Sequence, residues 1–152
     1  MDIILLYRIS NDSLLKARNL QSQISQIDLD IKLRQISQSS SSLGIKDASY
    51  INKLLDSKIR LANERDIHIS TAVEYASDIL INEIDHKVSG YLSIGSMLIN
   101  SINSFLTIYK VKAHISVTAR TKLLGLSYKL LLPEFTYMEV ASTIDRLQKQ
   151  LY

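Results

Sequence analysis

From Leu55 to Tyr109 apolar residues recur at alternating steps of three and four, a pattern that predicts helix packed on helix. The seam runs Leu55, Ile59, Ala62, Asp66, Ile69, Val73, Ala76, Leu80, Ile84 and Val88, the spacing of knobs-into-holes contact between nearly aligned helices. Two features interrupt it. Asp66 places a charge on the seam and Thr71-x-x-Glu74 has the form of a capping box, so a break or kink is expected near His68–Ser70. Lys87-Val88-Ser89-Gly90 then puts a cation and a glycine where a helix would stop. The pattern resumes at Tyr91, Ile94, Leu98, Ile102, Phe105 and Tyr109, which makes two segments hinged near Gly90 into a long central helical hairpin.

The flanking stretches are less uniform. Asn11-Asp12-Ser13 offers capping side chains to a helix that starts at Leu14 and runs to about Gln26, while Ile3–Ile9 reads as a short strand or a first helical turn. Ile27–Leu33 alternates apolar and charged residues as a half-buried strand does, yet Leu20, Ile24, Ile27 and Ile31 also share one helical stripe. The helical reading is preferred because a lone two-stranded sheet is marginally stable. Its alternative is an α+β fold with a small N-terminal strand-helix-strand unit. Residues 37–46, rich in serine, read as a flexible link to the main bundle. Val111–Ala119 leaves connection, strand and helix open, and Leu123–Leu132 is apolar enough to require burial or a membrane face. Pro133-Glu134 suits a first helical turn, after which Phe135, Met138, Ala141, Ile144, Leu147 and Leu151 give the last helix one apolar face. The expected fold is an all-α antiparallel helical bundle, with residues 1–152 forming a single domain.

Composition supports this picture and narrows the chemistry. One Pro and four Gly in 152 residues give too little turn punctuation for an all-β chain. The absence of Cys removes disulfides, thiolate catalysis and iron–sulfur ligation. No secretory leader and no run of 18 apolar residues is apparent, so an intracellular, cytoplasmic protein without a membrane partner is expected. Glu83-x-x-His86 has the spacing used in carboxylate-bridged metal centres of bundles, but those need the motif twice and two further Glu. It therefore reads as a solvated charged turn, and Glu64 with His68 as an exposed helical pair. Neither a nucleophile elbow nor a phosphate-binding glycine loop is present. No catalytic residue, metal or cofactor is assigned, and a non-enzymatic protein is expected.

Charge carries the remaining signal. The 22 residues Val88–Tyr109 have no formal charge, and Ser93, Ser96, Asn100, Asn103 and Thr107 line the side opposite the apolar face. Solvated helix faces normally carry charge, so this stripe belongs to a central helix or to a partner interface. Between Asp85 and Glu134 no acid occurs, whereas Lys110, Lys112, Arg120, Lys122 and Lys129 do, a set suited to nucleic-acid phosphates. Asp47–Ser89 holds eight acids and five bases, and Gly90–Tyr152 three acids and seven bases, so the two parts attract each other. These features predict a structural or interaction subunit of coat or scaffold type that self-associates into a homo-oligomer or binds a helical partner. The alternative is a nucleic-acid-binding protein.

Overall fold

The computed structural model describes residues 2–38, 44–131 and 137–152. Five α-helices and no strand occur among the described residues: α1 (Ile3–Gln38), α2 (Gly44–Asp85), α3 (Ile94–Ile108), α4 (Val117–Leu130) and α5 (Met138–Lys149). The all-α expectation is therefore correct and the α+β alternative is not. α1 and α2 form a long antiparallel hairpin; α3 and α4 pack on α2, and α5 closes over α3 and α4.

Local chemistry explains the helix limits and corrects several expectations. α1 begins at Ile3, where the Asp2 carboxylate accepts the Leu5 N–H at 3.1 Å, so Asp2 rather than Asn11–Ser13 is the cap. Ile27–Leu33 lies inside α1, because its alternation is compatible with a helix that exposes a second apolar stripe. α2 passes through His68–Ser70 without a break, and the Thr71 hydroxyl donates back to the Ile67 carbonyl instead of capping a new start. At the end of α2, Val88 N–H bonds the Glu83 carbonyl and Lys87 N–H the Ile84 carbonyl, with Lys87 at φ 54°. This is a Schellman stop in which Lys87, not Gly90, takes the left-handed position. α3 ends identically at Lys110, φ 52°, with Val111 bonded to Leu106 and Lys110 to Thr107. Residues 111–116 are a connection whose Ala113 forms an isolated parallel bridge with Leu151. The proposed helical start at Pro133-Glu134 and the Phe135 contact lie outside the described residues, as do residues 39–43 of the 37–46 link, whose ends belong to α1 and α2.

The core sits at one end of the hairpin. Leu14 and Ala17 of α1 meet Ile69, Val73, Ala76 and Leu80 of α2, and these are covered by Leu98, Ile102 and Phe105 of α3, Leu123 and Leu126 of α4, and Ile144 and Leu147 of α5. Met138, assigned to the apolar face of the last helix, is exposed, and Val140 is buried instead. Likewise, among the described residues of the Leu123–Leu132 run only Leu123 and Leu126 are buried, while Leu124 and Leu131 face outward.

Two buried carboxylates on α2 tie the second half of the chain to this core. Glu83 accepts the Ser93 hydroxyl at 3.0 Å and the N–H groups of Ile94 at 2.9 Å and Gly95 at 2.7 Å, capping α3 from a neighbouring helix. The solvated turn expected at Glu83-x-x-His86 is thus wrong for Glu83, although His86 is exposed. Asp66, the charge on the seam, takes the Arg65 guanidinium on Oδ1 and the His114 N–H at 3.0 Å on Oδ2. Arg65 in turn donates to Gln21 of α1 at 2.8 Å, so one carboxylate links α1, α2 and the 111–116 connection.

α3 approaches α2 closely at Gly95, where an added Cβ would lie 2.6 Å from both the Cβ and the backbone N of Leu80. Gly125 in α4 has open space in the same position. Gly95→Ala is expected to lose about 1–3 kcal/mol to overpacking despite its better helix propensity, and Gly125→Ala to gain up to about 1 kcal/mol. Thermal denaturation of the pair checks this: melting temperatures that move the same way would contradict the close approach.

Candidate interaction surfaces

The five candidate phosphate ligands do not form one patch. Lys122 Nζ lies 3.1 Å from Glu74 Oε1 and 2.8 Å from Asp78 Oδ2, and Lys129 pairs with Asp85. Glu74, Asp78 and Asp85 are on one stripe of α2, and Lys122 and Lys129, seven apart, match them from α4 running alongside in the same direction. The charge asymmetry read along the sequence therefore has partners within one chain. Arg120 is half-buried with Nη2 unpaired among the described residues. Lys112 stands 4.6 Å over the Tyr152 ring, which also stacks on His114, and Lys110 is exposed after α3.

The uncharged stripe of α3 also divides. Ser93 is buried as the α3 cap, its hydroxyl accepting the Ser96 N–H at 3.0 Å while donating to Glu83. Ser96 is buried, with its hydroxyl unpaired among the described residues. Asn100, Asn103 and Thr107 instead border a cavity of about 720 Å³ between α3 and α5, whose other walls include Lys110, Arg146 and Lys149. Gln150 Nε2 bridges Asn103 Oδ1 at 2.9 Å and Thr107 Oγ1 at 3.0 Å across its floor. A second cavity of about 770 Å³ shares Asn100 and Ser104 and is bordered by Arg18, Ser96, Tyr137 and Glu139. Sequence reasoning missed Arg18, Arg146, Lys149 and Gln150. The last three were legible as a polar stripe on α5, but only the topology sets that stripe against Asn100–Thr107.

A third surface was not foreseen. Beyond Ala17 in α1 and before Ile69 in α2, the only buried apolar residues described are Ile24, Ile31 and Ile51, which lie between the two helices. The rest of this arm exposes Leu29, Leu33 and Ile36 on α1, at 58, 56 and 67%, and Leu55 and Ile59 on α2, at 41 and 61%. The seam expected to bury Leu55 and Ile59 is therefore covered only from Asp66 onward. Asp28 with Lys58 at 2.7 Å, and Arg34 at 3.8 Å over the Tyr50 ring, fix the level at which the arms pair.

Eleven residues are three helical turns to within about 20°. Leu55 and Ile59 thus point the same way as Asp66 and Ser70, which hold the 111–116 connection. Leu29 and Ile36 point the same way as Arg18, which borders the α3/α5 cavity. Both bare stripes therefore lie on the side of the hairpin that α3–α5 cover at the other end.

Among the described residues, no group of three His, Cys, Asp or Glu side chains is placed to hold a metal ion, and no helix is long and apolar enough to cross a membrane. No family model, curated protein or solved structure matches the chain.

The Lys122 contacts have a pH signature. Burial pulls its pKa down, but hydrogen bonds and attraction from Asp78 and Glu74 outweigh burial and raise it above the ordinary 10.5. The ion pairs therefore contribute fully below pH 10.5 and their contribution is lost as pH rises through the higher folded-state value. Lys122→Met is expected to cost about 1 kcal/mol at neutral pH, because Glu74 and Asp78 are left one turn apart without their cation. Denaturant titrations at pH 7 and 11 check this: the gap between wild type and variant should shrink at the higher pH, and a constant gap would contradict it.

Proposed function

We propose that the chain is a non-enzymatic helical interaction subunit that self-associates through the distal arm of its α1/α2 hairpin. The observation that carries this reading is one hairpin face with two fates: covered by α3–α5 at one end, and bare and apolar at Leu29, Ile36, Leu55 and Ile59 at the other. Exposed aliphatic residues set along one side of two adjacent helices are the kind of surface an interaction site uses.

A second copy fits this face better than a charged partner does. Its apolar residues are interspersed with Ser25, Asn52 and Ala62, and Lys32 is the charge that helical spacing places among them. Two such faces meet about a two-fold axis with little like-charge repulsion, forming a four-helix contact between hairpins. Support for a structural rather than catalytic role comes from Asp66 and Glu83, whose carboxylates are occupied by donors of the same chain.

Half-exposed aliphatic side chains contribute about 1 kcal/mol each on burial, so a reversible dimer in the micromolar range is expected. Sedimentation velocity over a concentration series tests this against the variant carrying Leu29→Asp and Ile59→Asp. Both substituted residues are exposed in the single chain, so its melting temperature should change little. The wild type should pass from monomer to dimer while the variant stays monomeric; a wild type that is monomeric up to about 1 mM, an affinity below about 4 kcal/mol, would overturn the reading.

A further inference from the structure

We propose that the basic end of the α3/α5 trough binds the phosphate groups of a nucleic-acid strand. Lys110, Arg146 and Lys149 border this end together with the amides and hydroxyl of Asn100, Asn103 and Thr107, and among the described residues no acidic one lines it. Such a set supplies charge and neutral hydrogen-bond donors to phosphate oxygens.

The three cations are not needed elsewhere in the fold. Lys122 and Lys129 pair with acids of α2, whereas Lys110, Arg146 and Lys149 form no ion pair with any described residue, and Arg146 donates only to the Thr143 hydroxyl at 3.2 Å. Part of their charge complements helix dipoles. α3 and α5 run side by side with both C-termini at this end, as the Gln150 bonds to Asn103 and Thr107 require. Two helix ends carry about −0.5 charge each, which offsets about one of the three cations and leaves a surplus of about two.

The lining also selects what the trough takes. At the basic end Ile108 is the one apolar wall residue and no aromatic ring borders it among the described residues, so this end grips a backbone rather than stacking on bases. Through Asn100 and Ser104 it continues into the second cavity, forming a trough along α3, which at 15 residues is about 22 Å long. That length accommodates successive phosphates of one strand, with Glu139 marking the end where they are disfavoured. The residues are separate from the distal arm, so this inference stands or falls apart from self-association.

Fluorescence anisotropy with a labelled oligothymidylate, at 50 and 200 mM salt, tests the inference on three proteins. They are the wild type, the triple variant Lys110→Gln, Arg146→Gln, Lys149→Gln, and a charge-matched control with Lys16→Gln, Lys53→Gln, Arg60→Gln. The trough variant should bind at least about tenfold more weakly at 50 mM salt, with a log–log salt slope smaller by about 2, from about 0.7 per cation on single strands. The control should stay close to wild type. No wild-type binding at low salt, or equal losses in both triple variants, would overturn the proposal. Inorganic pyrophosphate serves as competitor: full displacement at micromolar concentration would reassign the trough to a small phosphorylated ligand and overturn the strand, and displacement needing millimolar concentrations would support it.

Discussion

One face of α2 is apolar from Leu55 to Leu80, and the described residues of the chain cover only the half beyond Asp66. The arrangement of the other elements follows from that constraint. α1 lies along a neighbouring face and contributes Leu14 and Ala17 to the covered end, α3 and α4 lie directly on it, and α5 seals the gap between them. Among the described residues the uncovered half is held to α1 by the narrow apolar seam of Ile24, Ile31 and Ile51, the Asp28–Lys58 ion pair and Arg34 over the Tyr50 ring. A two-helix arm of this kind exposes most of the surface that would stabilise it, since helical stability in proteins comes largely from tertiary packing.

The boundary between the two halves is set by charge. Asp66 stands where coverage begins, and its second oxygen is satisfied by a backbone N–H of the segment that arrives from α3. Glu83 does the same at the other end, fixing the start of α3. A buried carboxylate is costly unless its oxygens are occupied, and removing the partner of a buried charge costs about 3–5 kcal/mol. The same carboxylates therefore act as registration points: the second half of the chain docks only where its N–H groups meet them. Hydrogen bonds of this charge-assisted type are also the stronger ones in proteins.

Much of this was legible in the sequence. The three-and-four spacing gave the helices and their packing, and the charge at Asp66 correctly marked a special point on the seam, though its meaning was a docking partner rather than a break. Glu83 was visible but looked solvated, because nothing local reveals that α3 will start beside it. Alternation in Ile27–Leu33 suggested a strand since a two-residue period and a double-striped helix look alike over so short a run. Here the second stripe, Leu29, Leu33 and Ile36, is what remains bare. The candidate cations were read as one segment, whereas the fold splits them: α4 turns Lys122 and Lys129 onto the acids of α2, and α5 brings Arg146 and Lys149 to Lys110. Such groupings depend on contacts some 40 residues apart, which spacing along the chain does not encode.

Backbone hydrogen exchange measured at low and high protein concentration reads out whether a second copy covers the distal arm. If the bare half of the hairpin face is completed by a second copy, amides in residues 25–36 and 51–62 should exchange more slowly as concentration rises, while those of Ile69–Leu80 stay equally protected throughout. Protection of the arm that is independent of concentration would contradict the account.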